Sequence, residues 1–498
     1  MTNASDLDVL IIGAGIGGVG AACHLRMNAP DKRFAIWERR ADIGGTWDLF
    51  RYPGIRSDSD MYTLGYNFKP WMKHKVLAGG PDIKSYLKET VAEYNILDTI
   101  TFGRKITSVE WDSRDARWTV TAIDEATGET HQARAQHVFM CTGYYDYDNP
   151  YTPDFPGRDA FEGQVIHPQH WPEDLDYKNK KVVVIGSGAT AVTLVPSMAD
   201  DTAHITMLQR SPTYYASVKN EDGLSKILTK VMPRRWAFKI IRAFRIWMQD
   251  FAYTKAQAEP DKWREKLQGA AEEALEGKVD MKHFTPHYNP WDQRLCAVPE
   301  DDLFVALREG KASIVTDEID RFDKTGIQLK SGEHLDADII ISATGLNLKM
   351  LGGVDLVVDG KHIPHNSVMA YKTLMLENIP NLAFILGYVN ASWTLKVGIA
   401  MDYYLNLMKL LDDRGLDMAI PRSNDPSIVT ESSVWDALNS GYVNRARHDL
   451  PRQGSTQPWR VDHDFRADRK MLRGEPVDDG TLQFARAGAN APDNMAAE

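Results

Sequence analysis

Two glycine-rich turns constrain the fold of this 498-residue chain more than any other sequence feature. The first turn follows an apolar run at residues 9–12. Three of its glycines, Gly13, Gly15 and Gly18, follow the spacing G-x-G-x-x-G. A fourth, Gly17, lies inside the turn. Glycines at this spacing permit a tight bend and let a helix N-terminus approach a pyrophosphate closely. The pattern predicts a strand, a turn and a helix that bind a dinucleotide.

An acidic residue further along the chain supports this interpretation. Glu38 lies 20 residues after Gly18, where a carboxylate can accept hydrogen bonds from ribose hydroxyls. A chance glycine turn without a ligand is the alternative, and it does not explain the acid at this distance.

The second turn repeats the pattern in the middle of the chain. It follows an apolar run at residues 182–185 and consists of Gly186, Ser187, Gly188, Ala189, Thr190 and Ala191. The next predicted strand, at residues 204–208, ends in Gln209 and Arg210 rather than in an acid. An arginine there favours a ribose 2′-phosphate, which a flavin lacks. We therefore assign FAD to the first turn and NADPH to the second; an ordinary surface arginine is the alternative for Arg210.

Two further apolar runs, at residues 138–143 and 339–345, each end in Thr-Gly and bracket the second turn. The sequence thus predicts an α/β fold with two nested Rossmann-like dinucleotide-binding domains and a helical insertion. The predicted domains are an FAD-binding domain formed by residues 1–147 and 346–498 and an NADPH-binding domain at 148–345, with a helical excursion at about 213–290.

Composition excludes several function classes. The formal net charge of −11 argues against nucleic-acid binding. No uncharged apolar run approaches the roughly 18 residues of a membrane-spanning helix, and no secretory leader is recognisable, so we expect a cytoplasmic enzyme. The cysteines form no Cys-x-x-Cys pair, which argues against disulfide reductases and zinc clusters: Cys23, Cys141 and Cys296.

A basic, aromatic-rich segment at residues 226–255 predicts an amphipathic helix that is interrupted upstream by Pro233. Its apolar residues recur at helical spacing, with basic residues predicted opposite: Trp236, Ile240, Phe244, Trp247 and Phe251 against Arg235, Lys239 and Arg242. We favour a helix that packs its apolar side against the protein. A substrate-entrance lining and a peripheral membrane contact are the alternatives.

Two longer motifs resemble a known family. The segment with Phe161, Gly163, His167 and Trp171 followed by proline is similar to the fingerprint of flavin-containing Baeyer–Villiger monooxygenases. The stretch from Gly44 to Asp58 resembles the second signature of that family. The likeness spans nearly the whole chain and is strongest to the mycobacterial, ethionamide-activating branch.

The resemblance implies an enzyme that uses FAD, NADPH and dioxygen to convert ketones into esters or lactones through a flavin peroxide, with sulfoxidation of small sulfur compounds as a side activity. Arg294 matches the catalytic arginine of the family, and Asp58 matches the carboxylate that places this arginine. The alternative for Arg294 is an arginine in a surface salt bridge. The alternative for Asp58 is an aspartate that caps a loop. Many members have a lysine where this chain has Gln293, which weakens the prediction of NADPH preference.

The resemblance also implies further cofactor contacts. The residues predicted to line the flavin are Thr46, Trp47, Asp48 and Leu49. Arg56 and Ser57 are predicted to contact the nicotinamide dinucleotide. Ile106 is predicted to lie at the adenine end. For His167, a hinge in the linker is favoured over an acid–base role.

Two other functions remain open from the sequence. A flavin monooxygenase restricted to nitrogen or sulfur hydroxylation shares both glycine turns but has no need of Arg294. A non-catalytic redox sensor or binding module retains the nucleotide fold without turnover.

Overall fold

Strands and helices alternate along the chain in the computed structural model, which describes residues 6–293, 295–436 and 440–488. The first part contains β1 (Leu7–Ile12), α1 (Ile16–Asn28), β2 (Phe34–Trp37), α2 (Thr46–Leu49), α3 (Met61–Leu64), α4 (Gly80–Glu93), β3 (Ile100–Thr101), β4 (Lys105–Asp112), β5 (Arg117–Ile123) and β6 (Thr130–Met140). The middle part contains β7 (Gln164–Ile166), β8 (Lys181–Ile185), α5 (Ala189–Met198), β9 (His204–Gln209), β10 (Tyr215–Val218), α6 (Gly223–Val231), α7 (Arg234–Ala258), α8 (Pro260–Leu275), β11 (Cys296–Pro299), α9 (Asp302–Arg308), β12 (Ala312–Thr316), β13 (Ile319–Asp323), β14 (Gly326–Leu329), β15 (His334–Asp336) and β16 (Ile339–Ser342). The last part contains β17 (Asp355–Val358), β18 (Lys361–His362), β19 (Ala370–Tyr371), β20 (Met375–Leu376), β21 (Leu382–Phe384), α10 (Trp393–Arg414), β22 (Met418–Pro421), β23 (Val429–Ser433), α11 (Gly441–Ala446), β24 (Arg452–Gly454), α12 (Phe465–Gly474) and β25 (Leu482–Ala485).

The larger sheet is built from strands of the first and last parts. Its path runs β18-β17-β4-β5-β6-β1-β2-β3, and β21 joins it beside β6. Strand β1 lies between β2 and β6 and pairs with both in parallel. Its carboxyl end therefore opens at the edge where parallel α/β sheets bind ligands.

The second sheet is parallel throughout and lies entirely within the middle part. Its strands run in the order β12-β9-β8-β16-β7. One dinucleotide-type sheet thus interrupts the other along the sequence, which confirms the predicted fold class. We propose domain boundaries near residues 147 and 345, because each falls between strands of different sheets.

Both glycine turns contact the neighbouring strand in the same way. Gly13 has φ +100°, and a Cβ atom there would lie 2.6 Å from the carbonyl oxygen of Cys141. Gly186 has φ +138°, and its Cβ would lie 2.3 Å from the carbonyl oxygen of Ala343. A side chain at either position would be strained by the backbone and would clash with main chain. The two Thr-Gly runs of the sequence are therefore the segments against which the two turns pack.

The helical excursion contradicts one prediction about its orientation. Pro233 separates α6 from α7 as predicted. The apolar side of α7, however, faces solvent, with Trp236 62% and Trp247 49% exposed. Arg242, predicted on the solvated side, is buried instead because its guanidinium donates to backbone carbonyls of residues 62, 63 and 65. Among the described residues, no helix is both long and apolar enough to cross a bilayer.

A buried histidine in the larger sheet makes stability depend on pH. Burial lowers the pKa of His137 to about 3, and its Nδ1 lies 3.1 Å from the hydroxyl of Tyr404. In the unfolded chain a histidine titrates near pH 6.5. Between these values the unfolded state binds a proton that the folded state does not, so the free energy of unfolding falls as pH falls.

We expect this group alone to lower the free energy of unfolding by about 2 kcal/mol between pH 6.5 and pH 5. Urea unfolding across this range measures the slope. The His137→Gln variant should have a shallower slope, whereas the exposed His448→Gln control should keep the slope of the parent protein. Equal slopes for the parent and His137→Gln would contradict the prediction.

Candidate active site

A cavity of about 590 Å³ lies where the two dinucleotide-type units meet. Segments from both units line it, including the first glycine turn, the loop at residues 44–59, the end of β6 and the start of α5. The predicted site residues that line it are Gly13, Gly15, Gly17, Glu38, Thr46, Trp47, Arg56, Ser57, Asp58, Ile106, Ala189 and Thr190. Residues that are far apart in the sequence thus share one cavity.

Two helices point their N-termini into this cavity. Helix α1 begins after Gly15 and helix α5 after Gly188, and neither N-cap residue accepts a hydrogen bond through a side chain. Backbone N–H groups of a first helical turn that lack a side-chain cap are donors for an anionic ligand. The cavity therefore carries two positions suited to a phosphate or pyrophosphate, one from each unit.

Glu38 is held in place by the backbone of the first unit. Its Oε2 accepts from the backbone N–H of Ala14 at 2.6 Å, and its Oε1 accepts from that of Arg40 at 2.8 Å. Burial raises the pKa of this carboxyl group, while the two backbone donors oppose the shift. The carboxylate is fixed at the end of β2 beside the glycine turn, as a ribose acceptor requires.

The short helix α2 divides its residues between the cavity and the protein interior. Thr46 and Trp47 line the cavity together with Tyr147. Asp48 instead forms ion pairs with Arg40 and Lys84; burial alone would raise its pKa, but these two partners bring it below the ordinary value. Leu49 packs in the apolar core of the second unit. Neither Asp48 nor Leu49 is part of the cavity wall.

Arg56 connects the two units beside the cavity. It forms an ion pair with Asp302 of α9, and its guanidinium also donates to the carbonyl oxygen of Val192 at 3.4 Å. The neighbouring Ser57 is buried and both donates to and accepts from Ser59, at 3.0 Å each. This loop therefore has a defined backbone path along the wall of the cavity.

Asp58 lies in the wall of the cavity. Asp60 caps α3 by accepting from the backbone N–H of Thr63 at 3.0 Å. The position of Asp58 in the wall fits a carboxylate that acts on groups within the cavity.

The fingerprint segment forms the linker into the second unit. The backbone N–H of Gln169 donates to His167 Nδ1 at 3.1 Å, and His167 Nε2 lies 3.3 Å from the carbonyl oxygen of Gly345. This arrangement requires a neutral ring that donates through Nε2, and burial lowers its pKa. A ring engaged at both nitrogens with backbone groups favours the hinge interpretation over acid–base chemistry.

Other fingerprint residues have steric roles. A Cβ atom at Gly163 would lie 2.3 Å from the carbonyl oxygen of Asp338 and 2.5 Å from the ring of Phe161. Phe161 itself is buried against Phe322, and Trp171 packs against the core of the second unit. The motif therefore fixes the path of the linker.

The remaining residues of the second turn lie beside the cavity rather than in its wall. The Ser187 hydroxyl donates to the carbonyl oxygen of Ser211 at 3.4 Å, which places the end of β9 against the turn. Gln209 is buried and donates to the carbonyl oxygen of His283 at 2.8 Å, whereas Arg210 is exposed. Ala191 is fully buried. Arg210 is thus the side chain at this strand end that is available to a ligand. The predicted catalytic Arg294 lies outside the described residues.

Sequence reasoning missed several aromatic residues of the cavity wall. Tyr144 stacks on Trp393 with ring centroids 5.2 Å apart, and both line the cavity together with Tyr388. Tyr144 lies just after the Thr-Gly turn that follows β6, so its position near the carboxyl end of a central strand was an available signal. Trp393 and Tyr388 come from the last part of the chain, and no local pattern links them to the glycine turns.

Two Rossmann-like units, each with a glycine turn and an uncapped helix facing one cavity, define a protein that binds two dinucleotides. No disulfide joins any two of its three cysteines, all of which the structure describes. Burial raises the pKa of Cys141, the cysteine in the cavity wall, well above its ordinary value. The site therefore lacks the paired, reactive thiols of a disulfide reductase.

Comparisons with known proteins agree with this class. A family model described as pyridine nucleotide-disulphide oxidoreductase matches residues 10–234. The probable FAD-binding monooxygenase AlmA of Acinetobacter baylyi is 51% identical over 96% of both chains. The FAD-containing monooxygenases MymA and EthA of Mycobacterium tuberculosis are 51% and 47% identical, covering 98% and 97% of this chain and 99% and 98% of their own.

Solved structures share the fold at low sequence identity. An oxidized steroid monooxygenase bound to NADP superposes with a TM-score of 0.76 and 21% identity, covering 97% of this chain and 100% of the other. An ε-caprolactone-bound cyclohexanone monooxygenase superposes with a TM-score of 0.74 and 20% identity, covering 96% and 99%. The chain belongs to the family of FAD-containing monooxygenases.

Proposed function

We propose that this protein uses FAD, NADPH and dioxygen to convert ketones into esters or lactones, with oxidation of small sulfur compounds as a side activity. The observation that carries the proposal is the single cavity onto which both uncapped helix N-termini open. A hydride donor and a flavin must meet face to face, and this arrangement brings both cofactors to one space.

The residues of each unit fit the cofactor that we assign to it. At the first turn, Gly15 and Gly45 both line the cavity, and Glu38 offers a fixed acceptor for a ribose. At the second, Arg210 offers an exposed charge for a 2′-phosphate. The relatives named as FAD-binding or FAD-containing support the first assignment, and the structural neighbour named as bound to NADP supports the second.

The protein contributes positioning and charge. When bound and reduced, FAD supplies the activation of dioxygen. We assign Arg294 to stabilise the negative charge that develops on the ketone oxygen, and Asp58 to hold that arginine at the cavity. Arg56 and Ser57 would hold the nicotinamide dinucleotide against the second unit, while Trp47, Tyr144 and Trp393 supply an apolar wall that excludes water. His167, with its fingerprint neighbours, would act as the hinge between units.

Ketones are the substrate class that the structural neighbours favour. One of them is named as a cyclohexanone monooxygenase and holds a lactone, ε-caprolactone. The aromatic residues in the cavity wall suit the apolar part of such a substrate. A monooxygenase restricted to nitrogen or sulfur hydroxylation is the competing function.

A product screen tests the proposal. The flavin-loaded protein would be supplied with NADPH and air, together with aliphatic, cyclic and aryl ketones and a thioether, and products identified by mass and retention. We expect ketone products that gain one oxygen atom as esters or lactones, and faster NADPH than NADH oxidation. Sulfoxide formation without any ester from the ketone panel would instead support the competing function. Uncoupled NADPH consumption without oxygenated product would contradict both.

A further inference from the structure

The helical excursion exposes a continuous apolar stripe. On α7 the exposed residues recur every three or four positions along one side, with exposed fractions between 43% and 62%: Trp236, Ile240, Phe244, Trp247 and Phe251. Neighbouring rings of the stripe touch, with the Trp247 and Phe251 centroids 5.4 Å apart. Helix α6 packs against α7 and adds Leu224, Ile227 and Val231, which are 38%, 63% and 73% exposed. We call these eight residues the apolar stripe.

Side chains on the opposite side of α7 hold it rigidly to the protein. The Arg242 guanidinium donates to the carbonyl oxygens of Tyr62, Thr63 and Gly65 at 2.7, 3.0 and 2.7 Å. Three acceptors in one turn of backbone fix the rotation of the helix about its axis. The apolar stripe therefore faces outward because the opposite side is anchored.

The surroundings of the stripe are strongly basic in an acidic protein. Residues 223–249 contain seven Lys or Arg and no Asp or Glu, whereas the whole chain has a formal net charge of −11. Five of these basic side chains are exposed: Lys226, Lys230, Arg234, Arg235 and Lys239. Within the described residues, Lys230, Arg234 and Arg235 form no ion pair. Of the nearest acids along the chain, Glu221 pairs with Lys226 and Asp222 with Arg245. Asp250 pairs with Arg466, outside the segment.

We propose that the apolar stripe and its basic border dock on the surface of an anionic lipid bilayer. Tryptophan and phenylalanine on one side of a helix, bordered by lysine and arginine, suit the boundary between acyl chains and negatively charged headgroups. A symmetric contact with a second copy would place the two basic borders against each other, and like charges oppose such an interface. Charge complementarity thus selects an anionic surface.

The docking surface is directly connected to the cavity wall. Arg242 holds the segment that includes Leu64, which lines the cavity. Gln249, on the same helix, donates to the carbonyl oxygen of Asn390 at 3.0 Å, next to Ala391 of the cavity wall. A bilayer bound to the outer side of α7 would lie next to segments that border the site. Apolar substrates dissolved in the lipid would then be concentrated near the enzyme.

Vesicle flotation of the full-length, flavin-loaded protein tests the docking. Vesicles of phosphatidylcholine alone are compared with vesicles that also contain phosphatidylglycerol. We expect at least tenfold tighter binding to the anionic vesicles, weakened by salt. Removing three basic residues should weaken binding about 100-fold, and removing two aromatic residues at least tenfold: Lys230→Gln/Arg234→Gln/Arg235→Gln and Phe244→Ser/Trp247→Ser.

Matched controls change the same kinds of residue elsewhere on the surface. The charge control is Lys178→Gln/Lys180→Gln/Lys470→Gln, and the apolar control is Leu97→Ser/Val429→Ser, all at exposed positions. Both controls should bind like the parent protein. Equal binding to neutral and anionic vesicles, or unchanged binding of both stripe variants, would overturn the proposal. Absence of vesicle binding together with a dimer that Phe244→Ser/Trp247→Ser dissociates would assign the surface to a second copy instead. NADPH oxidation in detergent-free buffer monitors folding of every variant and does not depend on the substrate.

Discussion

The Gly18→Ala variant should lose most of its FAD affinity. A Cβ atom at Gly18 would lie 1.8 Å from the carbonyl oxygen of Gly13 and 3.4 Å from Cβ of Cys141. Gly13 cannot move away, because it packs against the backbone of Cys141, the residue that follows β6. Helix α1 would have to shift away from the turn, and such overpacking costs about 3 kcal/mol. If half or more of that cost falls on the cofactor-bound state, FAD affinity falls at least tenfold.

Flavin titration of the cofactor-free protein, followed by protein fluorescence, measures the effect, and thermal unfolding measures the accompanying loss of stability. Gly269→Ala is the matched control, because Gly269 lies in α8 with no other atom within 4 Å of its Cβ position. That substitution should leave FAD affinity unchanged and stabilise the helix by up to about 1 kcal/mol. Normal FAD affinity in Gly18→Ala would show that the turn does not hold the flavin pyrophosphate.

The Arg294→Ala variant should retain NADPH oxidation and lose ester formation by a factor of about 10² to 10³. Under the proposed function, this arginine acts on the negative charge that develops on the ketone oxygen, whereas reduction of the flavin needs only the two dinucleotide sites. The rate of NADPH oxidation and the yield of ester, measured in the same reaction, separate the two effects. Arg294→Lys should recover only part of the yield, since lysine keeps the charge but loses the planar, forked donor.

Arg158→Ala provides the control for a missing arginine. Arg158 lies exposed in a short turn of the linker, away from the cavity wall, and its removal should leave both measurements unchanged. Full ester yield from Arg294→Ala would remove that residue from the proposed mechanism. Loss of NADPH oxidation in the same variant would instead point to a role in binding the dinucleotide.

Local steric requirements explain why the fold was predictable. A G-x-G-x-x-G turn after an apolar run reports the positive φ of Gly13 and the close approach at Gly18 directly in the sequence. The repeat of this pattern at Gly186, and the Thr-Gly runs that pack against both turns, indicated two nested units. Glu38 was identifiable for the same reason, because its distance from the turn is set by one helix and one strand.

Other features depend on contacts between segments that are distant in the sequence. The motif that contains Thr46 and Trp47 also contains Asp48 and Leu49, but the short helix directs the first two into the cavity and the last two into ion pairs and core. Trp393 reaches the cavity from the last part of the chain and stacks on Tyr144 from the first. No local periodicity encodes such encounters.

The helical excursion shows this division most clearly. The sequence by itself determined that residues 226–255 contain an amphipathic helix interrupted at Pro233, and α7 does begin directly after that proline. Helical periodicity and the conformation of proline are local properties. Which side of that helix faces inward was decided only by the tertiary structure. On the inward side, Phe238 and Ile241 pack into the core, and Arg242 donates to three backbone carbonyl groups at residues 62–65. Together these contacts bury one side of the helix and leave the apolar stripe exposed.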